Sequence, residues 1–398
     1  GEGTKPERDK AYAAFMGSLY QKYPGNHEVA SLYALSLIGS VPIGRSDRIY
    51  EQSAKISESI LKENPNHPGA LHYLIHADDD PSHAKRALNA AHEYARVAPD
   101  ASHALHMPTH IFVALGMWNE VVALNEQSWQ SSVERKERKK LSNNDLGYHS
   151  FHWLEYGYLQ QGRNEDARKL LEEMMKYCDE LPSPRARIHE ILLRSTYLVG
   201  TEDWNSPYSA DTTDSKDLNI AIRAREIFIR ALNSLHDDNI GAVDRVISEM
   251  RASRSIESAT LNPDGIAVCK SGALSASGTT QMDIDQVFVM EAELEALRAW
   301  KSKDLAGAER WFKEAVAVEE KISYSYGPPA IVKPSEELYG EFLLAVGRPG
   351  EAMRAFDAAL LRTPKRRLSV KGKINAAKML KLEKEASDLE KELSGADT

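Results

Sequence analysis

The sequence predicts an all-α protein, a solenoid of helix-turn-helix repeats, and three observations predict it. Hydrophobic residues at 42% and charged residues at 27% are spread through a chain rich in Ala, Leu, Glu and Lys, with 17 Pro in 398 residues, a balance that suits a soluble helical protein. Small and aromatic residues recur at fixed distances from a turn residue. That recurrence breaks at only two segments, both polar and turn-rich.

Taken in order, the ladder begins at Tyr12, Met16, Leu19 and Pro24, spaced as the second helix of a pair whose first helix is missing. Tyr12 is bulky where the ladder otherwise has a small residue. An apolar end of this kind needs a polar cap, so either the natural chain extends upstream of Gly1 or something else covers it. Further rungs follow at Ser82, Ala87, Ala91, Tyr94 and Pro99, then Gly116, Val121, Asn125 and Ser128, then Gly162, Ala167, Leu171 and Met174, then Lys303, Ala308, Phe312 and Ala315. The clearest is "PSEELYGEFLLAVGRPGEAMRAFDAALLRTPKR", with Gly340, Gly347, Ala352, Phe356, Ala359 and Pro364. Gly347 makes the turn, small Ala352 lets two helices approach, and Pro364 stops the second.

This pattern closely resembles the tetratricopeptide repeat, a 34-residue helix pair that stacks into a superhelix. The resemblance implies about six or seven pairs forming a right-handed superhelix, with the first helix of each pair lining a concave groove. The breaks at 201 to 216 and 253 to 283 divide the chain into N-terminal repeats (1–200), an irregular helical segment with long loops (201–283), and C-terminal repeats with a terminal helix (284–398). A long Ser- and Gly-rich loop inside such an array reads as a lid or a hairpin.

Distance to the turn residue places each side chain on the groove wall. His103, His106 and His110 lie thirteen, ten and six residues before Gly116, in "SHALHMPTHIF". His149 and His152 lie thirteen and ten before Gly162; His72 and His76 lie ten and six before Ser82. Seven of the thirteen histidines thus fall in matching slots of three successive repeats. Further on the slots turn acidic: Glu337 and Glu341 lie ten and six before Gly347, and Glu293 ten before Lys303.

Imidazoles three or four residues apart on a helix can share one ligand, and neutral imidazole suits Zn, Cu, Fe and Ni. Seven exceed what one metal needs, which fits two metals or one metal with histidines to spare for proton transfer. Pro108, inside the helix, clashes with the carbonyl of Ala104 at a cost of about 3 kcal/mol, and a kink there would re-aim His106 and His110. Asp78, Asp79 and Asp80 read first as a capping turn, with Asp79 as the candidate acceptor for a histidine N–H. Glu341 is the first candidate for acid or base. Glu337 and Tyr156 are the further catalytic candidates, with a helix N-terminal charge as the competing role of Glu337 and inter-repeat packing as that of Tyr156.

Other chemistry is missing. There is no phosphate loop, no Gly-x-Ser-x-Gly elbow, no Cys-x-x-Cys pair and no His-Glu-x-x-His motif. A net charge of −9 gives no basic footprint for nucleic acid, "ERKERKK" at 134 to 140 reads as a solvated helix end, and no apolar run is long enough to span a bilayer. Two cysteines, Cys178 and Cys269, fit a reducing compartment, so the default is cytoplasmic. A chain that does not begin with Met leaves any removed targeting segment unseen.

Beyond the repeat, "HPGALHYLIHADDDPSHA", "APDASHALHMPTHIF" and "GPPAIVKPSEELYGEFLLAVGR" resemble a group of microbial tetratricopeptide proteins known by their repeats. The likeness runs from about Pro24 to Arg367. It includes the segment at His149, whereas the group more often has Asp at the position like His152, which sets that residue apart. The resemblance supports fold and segments and implies no reaction.

The expectation is therefore a metal-dependent enzyme that transforms a small molecule in the groove, by oxidation at copper or iron ahead of zinc-assisted hydrolysis. Its ligands would be His72, His76, His103, His106, His110, His149 and His152, with no nucleotide cofactor. The rival expectation is a non-catalytic module that holds a peptide or protein in the same groove.

Overall fold

The computed structural model describes residues 2–99, 101–261 and 278–395. Most of the segment read as a lid, residues 262–277 together with Cys269, lies outside the described residues. Among the described residues no strand forms, and the chain is all-α. The helices are α1 (Lys5–Lys22), α2 (His27–Gly39), α3 (Asp47–Glu63), α4 (Pro68–Ala77), α5 (Ala84–Val97), α6 (Ser102–His106), α7 (Pro108–Ala114), α8 (Trp118–Lys139), α9 (Tyr148–Gln160) and α10 (Asn164–Glu180). They continue as α11 (Pro184–Thr201), α12 (Ile220–His236), α13 (Ile240–Ser258), α14 (Gln281–Lys301), α15 (Leu305–Glu319), α16 (Ser335–Ala345), α17 (Pro349–Arg362), α18 (Arg367–Met379) and α19 (Glu383–Ser394).

These helices form two compact units. The first comprises residues 1–138 with 323–327, the second 139–322 with 328–398. The units follow spatial proximity, whereas the segmentation by sequence follows the repeat ladder, so the two are cut on different grounds.

In the first unit α1 packs on α2, α2 on α3, α3 on α4 and α4 on α5. Thr4 and Glu7 form a capping box at the start of α1, which settles its first turn. Ala13 and Met16 face inward, while Tyr12 and Phe15 stay 49% and 57% exposed. At α4 the imidazole of His67 caps the helix, its Nδ1 accepting from the N–H of Ala70, and Pro68 takes the first turn, where a missing N–H costs nothing. Pro108 separates α6 from α7, and the hydroxyl of Thr109 donates to the carbonyl of His106 at 2.6 Å beside that break.

In the second unit α9 pairs with α10, α12 with α13, α14 with α15, α16 with α17 and α18 with α19, and α11 packs on α9, α10 and α12. The close approach within a pair comes five residues after the turn. Ala87, Val121, Ala167, Ala308 and Ala352 are each fully buried there, which makes this a tetratricopeptide-like helical repeat. The turns take the left-handed conformation at Gly116, Gly162, Lys303 and Gly347, with φ of 66°, 75°, 63° and 77°. Two further pairs follow the same arithmetic, like Lys303 without a glycine: Asp238 (φ 55°) leads to buried Val243, and Lys381 (φ 60°) to buried Ala386.

Packing in the last repeats turns on the ring of Phe356, which meets glycines of two neighbouring helices. A Cβ at Gly340 would fall 2.8 Å from that ring, and one at Gly372 would fall inside its van der Waals surface. Gly372→Ala should therefore overpack this core and lower stability by about 1–3 kcal/mol in a urea titration. Gly350→Ala, in a helix and with nothing near the added methyl, should leave stability unchanged or slightly higher.

Candidate functional site

Five of the seven groove histidines come together in the first unit. His72 and His76 stand one turn apart on α4, His103 and His106 on α6, and His110 on α7. Their rings form a continuous run. Centroids are 5.2 Å apart from His103 to His72, 4.8 Å from His72 to His76, 6.1 Å from His76 to His110 and 5.1 Å from His110 to His106. Tyr94 stacks on His72 at 5.2 Å, and Tyr326, from the segment 323–327, lies against His110 at 5.1 Å. Tyr326 has no ladder position, so no spacing in the sequence pointed to it.

Two of the rings are oriented by neighbours. The amide of Asn125 donates to the carbonyl of Val121 at 2.9 Å, which turns its oxygen toward His106. His106 Nδ1 lies 2.8 Å from that oxygen, so Nδ1 carries the proton and Nε2 the lone pair. His110 Nδ1 lies 2.5 Å from a carboxyl oxygen of Asp79, which directs Nε2 away from that carboxyl. The three aspartates after α4 divide the work. Asp78 pairs with Arg86, Asp80 accepts from the N–H groups of Ser82 and His83, and Asp79 holds His110.

The cluster is electrostatically costly. Burial, then the charges that His76 and His103 would carry, push His72 down to about 3; burial, then His110 and His103, push His76 down to about 3. Burial also lowers His103. Burial, reinforced by Asp80 and opposed by Arg45, raises Asp79 well above the usual carboxylate range. One oxygen of Asp79 and Nε2 of His72 are buried with no hydrogen-bond partner, although a buried polar atom ordinarily has one.

The remaining candidates lie in the second unit. His149, on α9, is exposed, with its ring 5.3 Å from that of Trp153. His152 is buried, with Nε2 2.9 Å from the hydroxyl of Thr196, and burial followed by the Arg225 charge holds it well below its ordinary value. Glu337 receives two hydrogen bonds from Arg366, at 2.8 and 3.0 Å, and another from Ser369. Lys333 bonds Glu341 at 2.5 Å and stands 3.6 Å from Glu337; the hydroxyl of Tyr156 is 3.5 Å from Arg366. The three candidate acid–base residues are thus linked through Lys333 and Arg366. Burial raises Glu337, but Arg366 and Lys333 outweigh it and hold this carboxyl down at about 2, whereas burial wins at Glu341 and pushes it up to about 7.

Arg225 is part of the same network and went unread in the sequence. It lies thirteen residues before Asp238, in the slot occupied elsewhere by His103 and His149. Because that turn has aspartate in place of glycine, nothing marked its register. Arg225 donates to the carbonyls of Pro329 and Ala330, and Arg366 to that of Val332. The slot of Arg225 is therefore covered by the chain's own segment rather than left open.

No family model matches the chain, and no curated protein matches it in sequence. Solved structures that match include two of the human IFIT1 dimer, one with m7Gppp-AAAA and one with PPP-AAAA. Their TM-scores are 0.41 and 0.40, with identities of 12% and 11%. Each match covers 96% of this chain, and 76% and 77% of the respective IFIT1 chain. Likeness at this level says nothing about a ligand or a reaction. Among the described residues no helix is long and apolar enough to cross a membrane.

The Glu337 pairing makes a prediction with a defined sign. Glu337→Gln leaves Arg366 buried beside a neutral group and should cost about 3–5 kcal/mol at pH 7. Because the folded carboxyl sits at about 2 against an ordinary 4.5, its contribution is complete above pH 4.5 and fades as pH falls toward 2. Denaturant titrations at pH 7 and pH 3 should therefore show a smaller gap between wild type and variant at the lower pH.

Proposed function

We propose that the protein is a transition-metal enzyme that oxidises a small molecule at the histidine cluster of its first unit. The observation that supports it most is the buttressed pair: His106 Nδ1 is fixed by Asn125 and His110 Nδ1 by Asp79. Metal-bound histidines commonly carry such partners on the nitrogen away from the ion. His72, His76 and His103 complete the ligand set drawn from this unit. Rings kept neutral at pH 7 need lose no charge to bind a cation.

The residues fit a cation on a second count. The orphaned oxygen of Asp79 and Nε2 of His72 are buried polar atoms left without partners in a crowded cluster. A positive charge nearby would offset the cost of burying Asp79. Bound copper or iron would supply one-electron redox chemistry, and bound zinc would act as a Lewis acid; imidazole ligation puts copper first. The chain's own contribution is to hold the rings, keep them neutral and place Tyr326 against His110 beside the substrate. The likeness of the two histidine segments to a microbial repeat group names no reaction, so the proposal rests on the geometry.

Equilibrium dialysis against copper(II) and zinc(II) tests it through three variants. His106→Ala and His110→Ala should each lose stoichiometric metal while helical circular dichroism persists. Asp79→Asn should weaken affinity roughly 10–100-fold, the usual effect of losing a supporting partner. Full metal retention in all three would contradict the proposal.

A further inference from the structure

Residues 328–333 are held in the second unit as a bound peptide is held. They belong to the connection from α15 to α16, residues 320–334, which contains no helix of its own. Helix connections in bundles usually take roughly 2–8 residues. Among the described residues no backbone–backbone hydrogen bond holds residues 328–333. Side chains of the surrounding helices hold them instead. Arg225 on α12 donates to the carbonyls of Pro329 and Ala330 at 3.2 and 3.4 Å, and Arg366, just before α18, donates to that of Val332 at 3.3 Å. Pro328, Pro329 and Pro334 have no N–H to offer, so the stretch presents carbonyls and its surroundings supply the donors.

The side chains of the segment are received as well. Ile331 and Val332 are buried. Pro329 and Val332 face Tyr156, Leu159, Val199 and Gly200 across a void of about 10 Å³, so the fit leaves no more than the space of one water. The ammonium of Lys333 meets three carboxylates, 2.5 Å from Glu341, 3.5 Å from Glu202 and 3.6 Å from Glu337. Glu202, at the end of α11, is the exposed member of the three.

The groups that hold the segment occupy inner slots of the repeat. Arg225 stands thirteen residues before Asp238, and Glu337 and Glu341 stand ten and six before Gly347. With Lys333 withdrawn, Glu337 keeps Arg366, but among the described residues Glu202 and Glu341 have no other ion-pair partner. The uncovered groove therefore asks for a cation at its acidic end and for carbonyl acceptors at its arginines. Exposed carboxylates of this kind repel a polyanion and favour a basic partner.

We propose that residues 328–333 form a releasable strap that keeps a peptide groove of the second unit shut, and that the partner which replaces it is an extended peptide with two adjacent apolar residues followed by lysine. The strap is an autoinhibitory contact made by the chain's own copy of that pattern, Ile331, Val332 and Lys333. Main-chain carbonyls bind to the arginines whatever the sequence; the apolar pair and the lysine supply the selectivity. Because the strap competes from within the chain, a peptide in solution binds with its affinity reduced by the fraction of molecules whose groove is free. The residues involved are not those of the histidine cluster, and the inference does not depend on the metal reading.

A fluorescent peptide of residues 327–335, GPPAIVKPS, tests it on the full chain by anisotropy. Wild type should bind the peptide weakly. The Lys333→Glu protein, whose strap is repelled by the same three carboxylates, should bind it at least about tenfold more tightly, with circular dichroism confirming its fold. A peptide that itself carries Lys333→Glu should not bind. Hydrogen–deuterium exchange on wild type gives a second measurement that needs no variant. The amides of residues 330–333 should exchange by local opening, well ahead of the interior amides of α12 and α16. If Lys333→Glu does not fold, this exchange decides. No saturable binding to a folded variant, equal binding of the charge-reversed peptide, or strap amides that exchange only in step with α12 and α16 would overturn the proposal and make the segment a fixed part of the core.

Discussion

Two helices of a pair can approach closely only where a small side chain faces the partner helix, and the place of that contact is set by the left-handed turn five residues before it. Gly116, Gly162, Lys303 and Gly347 hold that turn, and fully buried Val121, Ala167, Ala308 and Ala352 make the contact. Once contact and turn are fixed, residues thirteen, ten and six before the turn project from the first helix in the same direction. The histidines of the first unit and the charged groups of the second occupy these slots because of that one constraint. Their chemistry is a property of the register before it is a property of any residue.

The two units fill the same slots in different ways. In the first, five imidazoles crowd together and burial disfavours the charged form of His72, His76 and His103, at a cost in unsatisfied atoms on Asp79 and His72. In the second, the slots hold Arg225, Glu337 and Glu341, Lys333 pairs with Glu341, and the segment 329–332 accepts hydrogen bonds from Arg225 and Arg366. A neutral polar cluster with orphaned atoms suits a guest cation. A paired, covered network suits structure, except at Arg225, where the pairing is incomplete.

Much of this was legible in the sequence where glycine or a small residue marked the turn. The repeat class, the rungs at Gly116, Gly162, Lys303 and Gly347 and the histidine slots all follow from spacing. The pairs turning at Asp238 and Lys381 were not legible, because a non-glycine turn leaves no trace of its own; Lys303 was read only through Ala308, Phe312 and Ala315 behind it. Arg225 was lost with the first of them. Tyr326 and the covering segment were hidden for another reason. Their positions depend on contacts between residues hundreds of places apart, such as the backbone N–H of Arg45 with the Ser323 hydroxyl at 3.3 Å, and no local pattern encodes those. Asp79 was separable from Asp78 and Asp80 only once each had a partner in space.

The central claim is that the histidine cluster of the first unit holds a transition metal. Elemental analysis by plasma mass spectrometry on untagged protein, before and after dialysis against a mild chelator, addresses it most directly. About one or two equivalents of a single transition metal surviving dialysis is the expected result, copper or iron for oxidation and zinc for hydrolysis. No retained metal, even after anaerobic reconstitution with all three, would contradict the claim and leave the cluster as the polar wall of a binding groove.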